Sequence, residues 1–368
     1  MSRSGAEAAW QAVWMQRGWR ARLLWPLSRL YGALAAARRR QFLRAKQRAT
    51  RLPVPVIVVG NVVVGGAGKT PTVLALLAHL QSVGWQPGVV SRGHGRRGDG
   101  VLELHPDTPA SEGGDEPTLI RRRTGVPVFV GARRADAARA LLAAHPQVDV
   151  LVCDDGLQHL ALGRDLAIAV FDDRGLGNGW LLPAGLLREP WPPAPGDALA
   201  PQLVLQQTSR ATPPALPPLS AGMQGFRASR CLADQALGPD GQRRSLATLN
   251  GPGLVAVAGI ARPDAFFTML RERGLSPAEA IALPDHAGAQ VFDAVVPRAS
   301  SVTVVCTEKD AVKLWSVLLQ RPADQRPAVW AVPLELSIEP AFFAAVDRCL
   351  GALAPGGRLS SADGHETA

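Results

Sequence analysis

The segment GGAGKT at residues 65–70 constrains this chain more than any other feature. It follows directly on VPVIVVGN (54–61), a β-branched run that reads as a buried strand, and precedes a helical stretch from about Thr70 to Val83. Strand, glycine-rich turn and helix in that order are the setting of a phosphate-binding P-loop. Gly65, Gly66 and Gly68, with Ala67 between them, let backbone N–H groups turn inward around phosphates, and the helix N-terminus adds partial positive charge. Lys69 is placed to reach the β- and γ-phosphates, and the Thr70 hydroxyl to bind Mg²⁺. The standard spacing would put glycine at 63, where the chain has Val63, so the fit is to the GGxGKT variant. A bare structural turn would need neither the lysine nor the threonine.

The strand–helix rhythm continues on the far side of the loop. PGVVSRG (87–93), VPVFVG (126–131) with an Ala- and Leu-rich helix at 132–144, VDVLVCDDG (148–156) and LAIAVFDD (166–173) predict a parallel sheet covered on both faces. From about 183 to 222 proline crowds the chain, apart from a short LVLQQ strand at 203–207, and the region reads as a domain edge and linker. LVAVAGI (254–260), a helix near 263–273, SVTVVCTEKD (301–310), a helix near 311–319 and VWAVPLEL (329–336) then predict a smaller second α/β domain. A length of 368 residues, at roughly 150 per domain, accommodates two or three such units. The expected organisation is a basic helical arm at 1–51, a P-loop core at 52–222, a smaller domain at 223–355 and a flexible tail at 356–368. Cys153, Cys231, Cys306 and Cys349 form no CxxC pair, which argues against structural zinc and disulfides and for a reducing cytosol.

Charge is concentrated at one end. Residues 1–51 carry twelve Lys or Arg against Glu7 alone, leaving 28 of the 40 basic and 30 of the 31 acidic residues to the rest of the chain. The body is therefore nearly neutral, and the basic arm also holds Trp10, Trp14, Trp19, Trp25 and the single tyrosine, Tyr31. Trp10 and Trp14 would share a helix face, and Pro26 is expected to break the helix before a second stretch from Leu27 to Arg51. Aromatic rings beside arginines suit an amphipathic helix lying on an anionic membrane surface; a helix packed on the protein's own body is the alternative. No apolar run reaches the length of a membrane span, no signal-peptide pattern is present, and no nucleic-acid-reading module is recognisable.

Two acidic clusters complete the candidate site. Asp154 and Asp155 end the VDVLVCDDG strand, on the sheet edge where ligands bind, and suit a role in holding Mg²⁺. GGDEP (113–117) reads as a loop that places Asp115 and Glu116 on opposite sides of the backbone, one to accept a proton and the other to help hold metal, or else as a solvated turn. TEKD (307–310) reads either as a nucleobase-recognition loop or as a helix N-terminal turn capped by Thr307.

With GNVVVGGAGKTP, VVSRGHGR, GDEP, DDGLQH, GNGWLLPAGLLREP, LPDH and TEKDAVK in this order, the chain resembles the tetraacyldisaccharide 4'-kinases, the lipid A 4'-kinases of Gram-negative bacteria, from about residue 20 to about 345. The resemblance implies transfer of the ATP γ-phosphoryl group, with Mg²⁺, to the 4'-hydroxyl of a tetraacylated glucosamine disaccharide 1-phosphate. It implies a peripheral or monotopic place on the cytoplasmic face of the inner membrane, with no nucleic-acid and no obligate protein partner. It makes Lys69 and Thr70 nucleotide and metal contacts, Asp115 the base assisted by His286, and Glu116, Asp154 and Asp155 the acidic metal shell. Gln158 and His159 would lie near phosphates or substrate, Arg188 would meet the transferring phosphate or the lipid head group, and Arg92 would sit on the same edge. Asp115 and His286 fall in different domains, so the site is expected in the cleft between them. His94 stands where the family commonly has tyrosine. A partition-type switch ATPase would carry lysine immediately before the two glycines, where this chain has Val64; a small-molecule kinase without a membrane role is the other rival.

Overall fold

The computed structural model describes residues 10, 12–44, 49–66, 68–210, 212–285 and 287–353. The expected tail at 356–368, parts of the arm, Ala67 and His286 lie outside these residues.

Fifteen strands are described: β1 (Val56–Gly60), β2 (Pro87–Ser91), β3 (Leu102–Leu104), β4 (Val128–Val130), β5 (Val150–Asp154), β6 (Leu166–Phe171), β7 (Leu203–Thr208), β8 (Gln224–Leu232), β9 (Gln235–Leu237), β10 (Arg243–Ser245), β11 (Leu254–Ala258), β12 (Glu279–Ala282), β13 (Thr303–Thr307), β14 (Ala328–Val332) and β15 (Leu334–Ile338). Nine of them form one sheet in the order β15-β8-β7-β6-β1-β5-β2-β4-β3. Its interior is parallel, and only β3 and β15 run antiparallel to their neighbours. The other six form a second sheet, β10-β9-β14-β13-β11-β12, parallel from β14 to β12.

β1 shows why the near-continuous apolar strands occupy the middle of the first sheet. All five residues are buried: Ile57 and Val59 enter the core under the Lys69–Ser82 helix, while Val56 and Val58 enter the core under the Arg134–Ala144 helix. Successive side chains point to opposite faces, so a strand buried on both sides can be apolar throughout. The strand order reverses at β1, with β5 on one side and β6 on the other, which opens a crevice at their C-terminal ends.

Three expectations about chain organisation differ from the structure. The proline-rich stretch is not a domain edge: β7 is an interior strand, and the chain after it crosses over to β8 in the same sheet. β8 and β15, together with the Pro340–Gly351 helix, belong to the first lobe and not to the smaller domain expected at 223–355. VWAVPLEL is not one strand, because Pro333 divides it and sends β14 and β15 to different sheets. The second lobe is therefore inserted between β8 and β15, and the two connections lie side by side where Ala233 N–H donates to Pro333 O at 2.9 Å.

The arm also departs from expectation. A 26-residue helix, Trp19–Arg44, runs through Pro26 without breaking; Gly18 and the two residues before it lie outside helix instead. Packing on the 177–197 segment compensates the lost hydrogen bond. Ser28 Oγ donates to Leu181 O at 2.7 Å, Tyr31 Oη to Arg188 O at 3.0 Å, and Arg39 pairs with Asp197 at 2.6 Å. Gly32 sits so close to Leu181 that a Cβ would lie 2.7 Å from its Cδ1. On the other side Trp19, Leu23, Leu27, Leu30 and Leu34 recur at helical spacing and stay exposed, Leu23 by 72%. The Trp10 and Trp14 rings meet as expected, 5.9 Å apart, and Trp14 Nε1–H reaches Pro183 O at 3.0 Å. No helix among the described residues is long and apolar enough to cross a membrane.

Candidate active site

A cleft of about 600 Å³ lies between the lobes, over the C-terminal ends of β1 and β5. The P-loop forms its floor. Gly65 and Gly68 have φ of 86° and 84°, a region open to glycine without strain. A Cβ on Gly68 would lie 2.0 Å from Gln207 Oε1, so the turn closes down on β7 with no room for a side chain. Gln207 donates to Gly68 O at 2.8 Å, Asn61 Nδ2 to Gly65 O at 3.1 Å, and Arg174 Nη1 to Val64 O at 3.1 Å. The loop's carbonyls are thus held from behind by three side chains.

Lys69 and Thr70 open the helix and line the cleft, as the motif predicts. Lys69 Nζ lies 3.6 Å from Asp155 Oδ1, and Arg188 Nη1 approaches the same oxygen at 3.7 Å. Asp155 is the one described non-glycine residue with positive φ, at 52°, and this sharp turn brings its carboxylate under both cations. Asp154 beside it is buried, its Oδ1 accepts no hydrogen bond, and its pKa is raised to about 7 by burial first and by Glu116 next, against the opposing pull of Lys69.

Oxygen donors around a buried carboxylate atom lacking a hydrogen bond suit a hard cation such as Mg²⁺, which commonly takes one or two carboxylates and fills its shell with phosphate and water. A three-carboxylate shell of Glu116, Asp154 and Asp155 is not what the structure presents. Among the described residues no group of three or more His, Cys, Asp or Glu is placed to hold an ion. Glu116 faces Lys309 of the second lobe at 3.9 Å, and Asp155 is shared by Lys69 and Arg188.

GDEP is not a loop. Gly114, at φ 87°, turns the chain into the Asp115–Thr124 helix, and both acids lie in its first turn. There they complement the helix dipole, which accounts for a carboxylate as buried as Asp115. Asp115 Oδ2 meets Lys313 Nζ of the second lobe at 2.6 Å. TEKD is the capped helix start: Thr307 Oγ1 accepts from Asp310 N–H, and Asp310 Oδ2 accepts from Gly259 N–H at 3.0 Å.

Arg92, His94, Asp115, Glu116, Asp154, Asp155 and Arg188 all line the cleft, whereas Gln158 and His159 do not. Gln158 Nε2 donates to Asn61 O at 3.0 Å and to Glu189 Oε1 at 2.8 Å, bracing the loop behind the site. His159 is half-buried, and burial first, then the positive charge of Arg134, lowers its pKa to about 4. The imidazole is therefore neutral near pH 7. The fold binds fewer protons there than the unfolded chain between pH 4 and 6.5, so this contribution is present above pH 6.5 and is lost as pH falls toward 4. Urea midpoints at pH 7 and pH 5 should drop further for the parent than for His159→Gln; equal drops would disprove the assignment.

Arg134, Arg230 and Arg262 are not among the residues that the motifs point to. Arg134 is buried and donates to Asp155 O at 3.2 Å, Arg230 donates to Gln207 Oε1 at 2.8 Å, and Arg262 of the second lobe lies 3.6 Å from Asp172 Oδ2. Only Arg134 had a nearby signal, in the pair GARR at 131–134. Burial lowers the Arg230 pKa, against the partial opposing pull of Asp172 and Asp173.

A P-loop, an adjoining aspartate pair and an acid that faces the second lobe define a two-lobed nucleotide-dependent phosphotransferase. The family model for tetraacyldisaccharide-1-P 4'-kinase matches residues 20–351. The chain belongs to the tetraacyldisaccharide 4'-kinase family. It is 51% identical over 355 residues to the tetraacyldisaccharide 4'-kinase of Polaromonas naphthalenivorans (strain CJ2), covering 96% of this chain and 98% of that one. It is 52% identical over 347 residues to that of Acidovorax sp. (strain JS42), covering 94% and 96%. The crystal structure of LpxK from Aquifex aeolicus in complex with ATP superposes with a TM-score of 0.74 at 25% identity, covering 90% of this chain and 99% of that one.

Proposed function

We propose that this protein transfers the γ-phosphoryl group of ATP to the 4'-hydroxyl of a tetraacylated glucosamine disaccharide 1-phosphate, at the cytoplasmic face of the inner membrane. The observation that carries this reading is the convergence of Lys69, Asp154, Asp115 and Arg188 on one interlobe cleft. In that cleft Lys69 and the P-loop N–H groups hold the β- and γ-phosphates. Asp115 accepts the proton of the attacking hydroxyl, with His286, named by the family resemblance and outside the described residues, assisting it. Arg188 neutralises charge on the transferring phosphoryl or on the lipid head group. Mg²⁺, held by Thr70 and Asp154 with Asp155 and Glu116 nearby, would supply charge neutralisation at the phosphate oxygens. The test is phosphate transfer from labelled ATP to the lipid disaccharide 1-phosphate, with the product position read by mass spectrometry. Phosphate released only to water, or product phosphorylated elsewhere, would overturn the reading.

The membrane role rests on the arm. The exposed stripe from Trp19 to Leu34 is flanked by Arg20, Arg22 and Arg29, which suits insertion at headgroup depth. Binding to anionic vesicles should weaken with salt, at on the order of 1 kcal/mol per basic residue that reaches the surface. Removing residues up to about 20 should weaken vesicle binding and raise the KM for lipid while sparing ATP binding. Absence of sedimentation with anionic vesicles would leave the arm as a solvated helix, and equal sedimentation with zwitterionic ones would remove the role given to its basic residues.

A further inference from the structure

The helix Glu308–Leu318 carries Lys309 and Lys313 one turn apart, and the two make the same kind of double contact. Lys313 Nζ lies 2.6 Å from Asp115 Oδ2 and donates to Ala287 O at 3.0 Å. Lys309 Nζ donates to Asp285 Oδ1 at 2.9 Å and lies 3.9 Å from Glu116 Oε1. Each ammonium therefore grips one residue at the start of the Asp115–Thr124 helix and one residue of the second lobe, Asp285 or Ala287. Both side chains are largely sequestered, 16% and 11% exposed. Arg123 and Glu308 pair across the same boundary.

We infer that Lys313 is a positioning residue for phosphoryl transfer: from the second lobe it fixes the Asp115 carboxylate and ties it to Ala287, with Lys309 holding the other flank. This rests on the reading of Asp115 as the base. A carboxylate on the first residue of a helix turns about two side-chain bonds. A charge-assisted contact of 2.6 Å to one oxygen selects an orientation and directs the other oxygen along a defined line. Lys313 exchanges no proton. The substrate O–H bond breaks as the O–P bond forms, the proton passes to Asp115, and the bond from phosphorus to the ADP oxygen breaks. Because Lys313 sits on the second lobe, bringing the lobes together also brings the ammonium that orients Asp115, so lobe apposition and base orientation are linked.

The experiment compares the parent, Lys313→Met, Asp115→Asn and the double variant. Single-turnover rates are normalised to titrated ATP sites, alongside the KM for ATP and thermal midpoints. Lys313→Met should slow transfer on the order of 10²-fold, the scale expected of a misplaced reacting group, with the KM for ATP unchanged. In the Asp115→Asn background the same change should cost little more. The double variant removes both charges and so leaves no uncompensated buried ion to unfold it. If Lys313→Met does not fold, Lys313→Gln, which keeps a donor without the charge, takes its place in the cycle. A full, equal loss in both backgrounds, or a loss that vanishes on normalisation, would show that Lys313 only joins the lobes and would overturn the inference while leaving Asp115 as base. Near-parental transfer by Asp115→Asn would instead overturn the reading of the base, and the inference with it.

Discussion

Lys69→Ala is expected to lower phosphoryl transfer at least about 10²-fold in a protein that remains folded. Catalysis of this reaction is mostly positioning and electrostatic stabilisation, and one well-placed donor in a water-poor site contributes on that scale. The fold survives because Lys69 is the first residue of its helix and its side chain packs in neither core of the first lobe. Its partner Asp155 is partly exposed and keeps Arg188 at 3.7 Å, so that carboxylate is not left without a cation. Turnover and thermal midpoint measured on one preparation decide the matter. Near-parental turnover by the folded variant would remove the P-loop assignment.

Asp115→Asn should depress kcat on the order of 10² to 10⁴-fold, the usual contribution of a general base, and leave the KM for ATP nearly unchanged. Asparagine keeps the shape and still presents an oxygen to Lys313, so the lobe contact persists while the proton acceptor is lost. Steady-state kinetics against ATP at saturating lipid separates the two parameters. A rise in the KM for ATP at unchanged kcat would place Asp115 in nucleotide binding instead.

Both variants act on residues that stand out in the sequence, and the reason is local. The P-loop is short, its glycines answer to backbone geometry within a few residues, and Lys69 and Thr70 follow from the turn of the helix that begins there. The same holds for Asp154 and Asp155 at the end of a strand whose every residue is buried. Capping is local too, and Thr307 caps its helix as the residue type suggests. Pro26 marks the limit of such reading, since its helix is carried through by contacts with Leu181 and Arg188 far along the chain. GDEP marks the same limit: Gly114 supplied a turn, but the helix that follows is stabilised by burial of Ile120 in the core.

The sequence by itself determined the strand–helix alternation, the phosphate loop, the acidic strand end and the basic aromatic arm, because each is written in neighbouring residues with a fixed period or a special backbone demand. Tertiary structure alone decided which sheet received β8 and β15, where the second lobe is inserted, and that Gln158 and His159 stand outside the cleft. It also decided that Lys309 and Lys313 meet Glu116 and Asp115 across the lobes. Those outcomes depend on strand pairing and on charges brought together from distant parts of the chain. An ammonium beside a carboxylate in a sequestered cleft is strongly selected once the lobes meet, yet the pattern around either residue carries no trace of its partner.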